Sequence, residues 1–494
     1  MPSNTTFTFE LDNEPRLLVK HQAFPYQEEA SDFVVGRDYA AVFHEQGLGK
    51  TKIAIDAGLE WLKRQQIDTI LIFTKKSLVD NWKAEFKEHS YLQPSILSEN
   101  SSLNYYVFTS PTRAVLAHYE VAKKEEKRLS MWLKSRRVAV FLDEAVKIKN
   151  PDSELTKTFI RLSRLFRKRV ILTGTPAANR PFDVWAPVYF LDGGKALGSD
   201  FSAFKRATDI PKDLPNRDQI KAAYSKVLAG VQHQLAELSV RETKNGGRIS
   251  LPRKEFLRID CHWETTQFDL YRQVQEELRA TIMKDGNLLQ ESEDNVLKRL
   301  LRLTQIASYP KLVDDAYAAE PGKFEPLYEL ITDITSKGEK AIVFTQFNDT
   351  CKWLKKQLKP FGTLMLSGTM PMGARTETIN WFKKNEEDRV LVATTGAAKE
   401  GLTLTVANHV VFYDRGYSLD DYLQSQDRIH RVSQTRTCFV YNMLMADSID
   451  EWIDALIEQK RLAAQLAQGD ITDIEYRAKA DYSFAEILRG ILGS

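Results

Sequence analysis

Short runs rich in Val, Ile and Phe alternate along this chain with longer stretches in which apolar residues return every three or four positions. The first pattern is that of strands buried on both faces, the second that of amphipathic helices. In the first half the alternation predicts strand 39–43, helix 50–64, strand 69–73, helix 77–89, strand 104–109, helix 111–118, strand 138–142, helix 153–167 and strand 169–173. In helix 50–64, Ile53, Ala57 and Trp61 share one face. Ser77 precedes its helix as a capping candidate, and Pro111 falls at a first helical position. From about 195 to 321 the pattern is long, charged and helical, with helices expected over 264–284 and 292–308. The alternation then resumes with strand 340–345, helix 348–359, strand 363–366, helix 373–385, strand 389–394, strand 409–413, helix 419–431, strand 437–443 and helix 448–466.

Strands separated by helices of this size give parallel sheets covered on both faces. The expected fold class is therefore α/β, with two parallel-sheet lobes in tandem and helical protrusions inserted between them. The boundaries read as a flexible N-terminus 1–14, a first lobe 15–240 with a helical insertion from about 195, a linker and helical protrusion 241–322, a second lobe 323–468, and a helical tail 469–494.

Composition narrows this only slightly. Hydrophobic residues make up 43% and charged residues 28%, as in ordinary globular proteins. No apolar run approaches the ~20 residues of a membrane span, and no secretory signal is visible. Cys261, Cys351 and Cys438 lie far apart without a C-x-x-C pair, which speaks against a zinc site or disulfide framework and for a reducing compartment. A net charge of +2 means that any nucleic-acid surface is a local patch.

Candidate chemistry begins at His44-Glu-Gln-Gly47-Leu-Gly49-Lys50-Thr51, between strand 39–43 and helix 50–64. Strand, Gly-rich turn and Lys-Thr opening a helix form the layout of a phosphate-binding loop. Backbone N–H groups cradle phosphate oxygens, Lys50 reaches the β/γ-phosphates and the Thr51 hydroxyl holds Mg²⁺. His44 stands where the longer form of the motif has its first Gly. Strand 138–142 runs into Asp143 and Glu144, a pair suited to holding Mg²⁺ and to activating water. Val170-Ile-Leu-Thr173-Gly174-Thr175-Pro176 ends a buried strand in small hydroxyl residues that can sense a γ-phosphate. In the lobe without a phosphate loop, helix 419–431 carries Gln424, Arg428 and Arg431, the two arginines at i, i+3 on one face. An arginine finger presented there contributes ~10³–10⁵ in rate in related chemistry. Gln27, after Phe24-Pro-Tyr26, can pair with an adenine edge. Arg161, Arg164, Arg167, Lys168 and Arg169 form a basic run that reads as a solvated helix face or as a further patch.

Taken in order from about Arg16 to Lys460, these motifs resemble those of superfamily-two helicase-type ATPases, and specifically the SWI/SNF-type double-stranded DNA translocases. Glu45 to Thr51 fits their shorter Gly-x-Gly-Lys-Thr loop. Thr69 to Trp82 resembles a DNA-contacting segment ending in Asn-Trp, and Asp143 to Asn150 the acidic motif. Leu172 to Asn179 resembles the coupling motif. Val240-Arg-Glu-Thr-Lys244 with Leu251-Pro-Arg-Lys254, and Gln305-Ile-Ala-Ser-Tyr-Pro310, resemble the pieces between the lobes. Lys340 to Phe347, Gly396 to Asn408 and Gln424 to Gln434 resemble the second-lobe motifs. The chain departs from the family at Val146, where a coupling His is usual, and at Gly416-Tyr-Ser-Leu419, where Trp-Asn-Pro is usual.

The resemblance implies two RecA-like lobes and an ATP hydrolase that uses ATP and Mg²⁺ in the inter-lobe cleft. Catalysis falls to Lys50, Asp143, Glu144, Arg428 and Arg431, nucleotide binding to Gln27, Gly47, Gly49, Lys50, Thr51 and Gln424, and the metal to Thr51 and Asp143. Thr173, Gly174, Thr175 and Gly401 couple hydrolysis to lobe movement. Lys75, Lys76, Ser110, Thr345, Gln346, Thr394, Thr395 and Lys399 are the expected DNA contacts, on loops along one edge of both lobes. The implied activity is DNA-stimulated translocation along duplex DNA without sequence specificity, by an intracellular, cytoplasmic or nucleoid-associated monomeric motor with room for a protein partner and no membrane association. The rival readings are a strand-separating or annealing helicase on DNA or RNA, and a motor subunit of a larger repair, recombination or defence complex.

Overall fold

The computed structural model describes residues 16–177, 179–209, 217–244, 248, 251–284, 287–288, 293–398 and 403–479. The first sheet holds β1 (Tyr39–Val42), β2 (Thr69–Thr74), β3 (Ser95–Leu97), β4 (Ala114–His118), β5 (Val138–Asp143), β6 (Lys168–Leu172) and β7 (Ser239–Val240). Its order is β3-β4-β2-β5-β6-β1-β7, and each pairing is parallel. Alternate residues of a strand enter opposite cores. Leu71, Phe73, Val140 and Leu142 join one cluster, and Ile70, Ile72, Ala139 and Phe141 the other. A strand buried on both faces needs an apolar residue at every position, which is why these segments read as unbroken runs.

The chain then passes through β8 (Lys254–Cys261) and a small antiparallel pair, β9 (Met283–Lys284) with β10 (Asn287–Leu288). The second sheet adds β11 (Ala341–Thr345), β12 (Thr363–Leu366), β13 (Val390–Thr394), β14 (His409–Phe412) and β15 (Cys438–Met445) in the parallel order β12-β13-β11-β14-β15-β8. The fold is thus α/β with two parallel-sheet lobes. β8 comes from the segment read as linker, yet it pairs with β15 from Lys254↔Cys438 to Cys261↔Met445. The helices Thr265–Ile282 and Glu293–Ser308 match the expected pair, and Leu300, Leu303 and Ile306 point into the second-lobe core.

Some expectations are overturned. Residues 104–109 belong to helix Ser101–Thr109, capped by Asn100, whose Oδ1 accepts the Ser102 N–H at 3.0 Å. The aromatic and β-branched content of Tyr105-Tyr-Val-Phe-Thr109 reads as strand, but the cap and the packing override it. Residues 111–118 hold not a helix but β4, and Pro111 lies in the loop before it. Ser77 sits inside the short 3₁₀ turn Lys76–Leu78 and caps nothing. The helix expected over 419–431 ends at Gln426. The helices Pro25–Val35, Tyr119–Lys124 and Glu126–Ser135 were not anticipated.

The helical insertion ties the lobes together. Helix Arg217–Ala236 of the insertion packs Tyr224 and Leu228 against Leu462, Leu466 and Tyr476. Beside them Arg241 forms a fork with Asp470, at 2.6 Å from its Nε and 2.5 Å from its Nη2, and donates to the Phe43 carbonyl at 2.6 Å. Residues Tyr482 to Leu492 of the expected helical tail lie outside the described residues. Among the described residues, no helix is long and apolar enough to cross a membrane.

Candidate active site between the lobes

β1 delivers the chain into a loop that closes around an ammonium group. Gly47 (φ 84°) and Gly49 (φ 76°) are left-handed, a conformation that a side chain resists. They turn the chain so that helix Lys50–Lys63 starts directly at the loop. Lys50 Nζ donates to the carbonyls of His44 (2.8 Å) and Glu45 (3.2 Å). Burial lowers its pKa, and Glu144 and Asp143 work against that shift. Gln27 braces the loop from helix Pro25–Val35. Its Nε2 donates to the Leu48 carbonyl at 3.2 Å and its Oε1 accepts the Phe24 N–H. Thr51 stands in the first helical turn.

The acidic pair sits at the carboxyl end of β5. Asp143 Oδ2 accepts from Thr74 Oγ1 and Trp82 Nε1, both at 2.8 Å, and its carbonyl accepts from Tyr119 at 2.8 Å. Trp82 ends the segment expected to contact DNA, and its indole fixes this carboxylate. Glu144 is itself left-handed (φ 54°), an uncommon conformation for a side-chain-bearing residue, and its Oε1 accepts from Gln46 Nε2 at 3.4 Å. Gln46, Thr74 and Tyr119 were not singled out in the sequence. Each holds its acid through tertiary packing between separate loops, which leaves no local signature.

The turn after β6 packs on the loop that carries Gln46 and Lys50. A side chain at Gly174 would lie 2.9 Å from Gln46 Cγ and 3.3 Å from Lys50 Nζ. Thr173 Oγ1 accepts the Thr175 N–H at 3.2 Å, and Thr175 Oγ1 donates to Asp420 Oδ1 of the second lobe at 2.5 Å. Gly401 lies outside the described residues.

Arg428 and Arg431 do come to this site, but not on a helix face. They follow the end of helix Leu419–Gln426, in the irregular stretch before β15. Arg431 lays its aliphatic stem on the Gly47–Lys50 loop, so that a side chain at Gly47 would meet its Cγ at 3.1 Å. Its guanidinium donates to the Asp427 carbonyl (3.0 Å) and to Thr403 Oγ1 (2.7 Å). Burial, and then the charge of Arg431, press Arg428 down to about 9. Gln424, expected among the nucleotide-binding residues, instead donates to Asp420 Oδ2 at 2.8 Å.

A linker residue joins both halves. The Lys244 N–H donates to Glu45 Oε2 at 2.9 Å, and its Nζ donates to Asp427 Oδ1 (2.7 Å) and the His430 carbonyl (2.9 Å). Burial would raise the Asp427 carboxyl, but Lys244 and Lys254 outweigh it and hold it at about 2.

The expected DNA contacts divide. Lys75 and Lys76 follow β2, Gln346 follows β11, and Thr394 and Thr395 lie at the end of β13, all at carboxyl edges of the sheets, where open parallel sheets place their ligand loops. Thr345 is fully buried and donates to Asp414 Oδ2 at 2.6 Å, so its hydroxyl is not presented outward. Thr395 Oγ1 accepts from Gln346 Nε2 at 2.7 Å. Ser110 lies before β4, at the opposite edge of the first sheet, and donates to the Tyr106 carbonyl. The strand expected over 104–109 would end just before Ser110 and place it at a carboxyl edge, but that segment is helix Ser101–Thr109. Lys399 lies outside the described residues. Lys147 and Lys149, which belong to the acidic motif but not to the expected DNA contacts, border a cavity of about 290 Å³ with Lys75, Glu144 and Asp420. In the basic run, Arg161 pairs with Glu126 and Lys168 with Asp38, so these two charges are held within the lobe.

Comparison with known proteins bears on this arrangement. Residues 26–312 match the SNF2-related domain, and residues 322–433 match the helicase conserved C-terminal domain. YwqA of Bacillus subtilis, which carries the name of an ATP-dependent helicase/translocase, is 28% identical over 87% of this chain and 47% of its own length. The ISWI chromatin-remodeling complex ATPase ISW1 of Saccharomyces cerevisiae is 24% identical over 94% of this chain and 42% of its own. The chain therefore spans under half the length of these relatives. The Sulfolobus solfataricus SWI2/SNF2 ATPase core in complex with dsDNA is 25% identical, with 96% of this chain and 97% of that chain covered at a TM-score of 0.43. The two matched domains follow one another across most of the chain, and the pair is that of an ATP hydrolase of the helicase type: the chain belongs to the SNF2-related family.

Proposed function

We propose that this chain is a DNA-stimulated ATPase that moves along duplex DNA, driven by closure and reopening of the cleft between its lobes. The observation that carries the reading is Arg431 resting on Gly47, with Arg428 buried among the charges of Arg431 and Glu144. One lobe holds the phosphates and the other supplies the positive charge that develops its value in the transition state. In this reading Gly47, Gly49 and Lys50 bind the phosphates of ATP, and Gln27 stands at the adenine end. Glu144 orients the attacking water and takes its proton. Arg428 and Arg431 neutralise charge on the transferring group.

Thr51 and Asp143 offer a hydroxyl and a carboxylate, hard oxygen donors of the kind Mg²⁺ prefers. Thr74 and Trp82 both donate to Oδ2 of Asp143 and fix its carboxylate, which with the Thr51 hydroxyl would hold the ion. When bound there, Mg²⁺ supplies charge neutralisation at the phosphates. Both halves of the site come from one chain, which supports a monomeric motor.

Lys75, Lys76 and Gln346 lie on carboxyl-edge loops of the two sheets, and Lys147 and Lys149 join them. Such groups contact phosphates, which gives binding without base readout that weakens with salt. Names such as helicase/translocase and chromatin-remodeling ATPase among the relatives support action on DNA, and with it an intracellular, nucleoid-associated place of work. The test is ATP hydrolysis measured without polymer, with duplex DNA, with single strands and with RNA, followed by triplex-displacement and strand-displacement assays. Stimulation by duplex with triplex displacement is the expected result. Stimulation by single strands with strand separation would replace this reading by that of an unwinding helicase.

A further inference from the structure

The turn beside Lys50 reaches the second lobe through a carboxylate that none of the sequence motifs singled out. Thr175 Oγ1 donates to Asp420 Oδ1 at 2.5 Å, and Gln424 Nε2 donates to Asp420 Oδ2 at 2.8 Å. A few residues on, Asn179 Oδ1 accepts the Leu419 N–H at 2.9 Å, and Ser418 caps the same helix by accepting the Asp421 N–H. First-lobe residues thus dock on the N-terminus of helix Leu419–Gln426, whose far end leads into Arg428 and Arg431. Val146, two residues after Glu144, borders the same cavity as Asp420 with a side chain that can make no hydrogen bond. At this cavity the Thr173–Thr175 turn supplies a polar link across the cleft, through Thr175 and Asp420.

We propose that Asp420 is a positioning residue for hydrolysis, tying the Thr173–Thr175 turn to the helix that leads into Arg428 and Arg431 so that the two halves of the site meet in register. The proposal rests on the reading of the chain as an ATP-driven motor. A carboxylate suits the task because each oxygen can hold one donor, one from either lobe, and a charged acceptor makes the stronger hydrogen bond. Burial and the facing charge of Glu144 both push the Asp420 carboxyl up, while Thr175 and Lys75 act to keep it ionised.

The test combines hydrolysis with a distance measurement. Wild type, Asp420→Ala, Asp420→Asn, Thr175→Val and the Thr175→Val/Asp420→Ala double variant are compared with saturating duplex DNA. Dyes at Lys63→Cys and Lys359→Cys, one on each lobe, report cleft closure on adding a non-hydrolysable ATP analogue; the three native cysteines are buried and escape labelling. Asp420→Ala and Thr175→Val each lower kcat roughly tenfold with KM for ATP within about twofold, the double variant is no worse than the poorer single one, and Asp420→Asn recovers most of the rate because its carbonyl still accepts from Thr175. The analogue brings the dyes together in wild type and Asp420→Asn but not in Asp420→Ala. Losses that multiply in the double variant, or closure that survives Asp420→Ala, overturn the proposal. A wild type that hydrolyses no ATP would sink the motor reading instead, and the dye distances would still decide the role of Asp420.

Discussion

The stem of Arg431 lies against Gly47, where an added methyl group would come within 3.1 Å of its Cγ. The glycine is thus required twice, once for its left-handed backbone (φ 84°) and once for the approach of the other lobe. Gly47→Ala places a side chain in a conformation costing roughly 1–2 kcal/mol and into the path of Arg431. The expected outcome is a loss of about tenfold or more in kcat with a small drop in melting temperature. Steady-state hydrolysis and thermal unfolding check it, and wild-type kcat in the variant would show that the arginine does not need this contact.

Binding and turnover separate along the line between the lobes. Lys50→Ala abolishes ATP binding, whereas Glu144→Gln binds ATP without turning it over. Arg428→Ala and Arg431→Ala lower kcat by ~10³ or more while ATP affinity changes by only a few fold. A fluorescent ATP analogue gives the affinities and single-turnover hydrolysis gives the rates. Glu144→Gln hydrolysing at the wild-type rate would remove Glu144 from the mechanism.

Trp82→Phe keeps the ring packing and deletes the N–H that Asp143 accepts at 2.8 Å. A residue that orients a metal-binding carboxylate is worth about 10–100-fold in metal affinity or activity. The Mg²⁺ concentration for half-maximal hydrolysis rises by roughly that factor, while duplex DNA affinity stays unchanged. If Trp82 acted on DNA instead, the second quantity would move and the first would not.

His44 is buried and therefore held neutral, its pKa lowered to about 4 by desolvation. The unfolded chain, with an ordinary imidazole, binds a proton that the folded chain refuses between roughly pH 6.5 and 4. Stability thus rises with pH across that window and is complete above it. His430, also lowered to about 4 by burial, acts in the same direction. His44→Leu removes about 2 kcal/mol of the loss between pH 7.5 and pH 5, seen as a smaller acid shift of the urea midpoint. An unchanged shift in the variant would assign the acid sensitivity elsewhere.

Lys75→Ala and Lys76→Ala weaken duplex binding equally for unrelated sequences, and each lowers the salt slope by about one. Ser110→Ala, at the far edge of the sheet, leaves both unchanged. Filter binding or anisotropy over a salt series resolves the two outcomes. A Ser110 effect matching that of Lys75 would place DNA on the other side of the lobe.

Much of this protein is local enough to be legible in the chain itself. The apolar runs at Thr69–Phe73 and Val138–Leu142 declare strands buried on both faces, because a parallel sheet under helices accepts an apolar residue at every position. Gly47-Leu-Gly49-Lys50-Thr51 and Asp143-Glu144 stand out in the chain because they gather glycines, hydroxyls and charges at the ends of apolar strands, and the fold brings both to one site. What tertiary structure decided is everything that depends on which loops become neighbours. Ser101–Thr109 is a helix despite its strand-like composition, since the Asn100 cap and packing prevail over propensity. β8 leaves the linker to complete the second sheet, and helix Leu419–Gln426 stops before the arginines it was expected to carry. Trp82, Gln46, Lys244 and Asp420 act through partners 61 to 245 residues away. Contacts at such separations leave no periodicity and no spacing rule in the sequence. They exist only because closing two sheets around their own cores brings the carboxyl-edge loops of both lobes to one cleft.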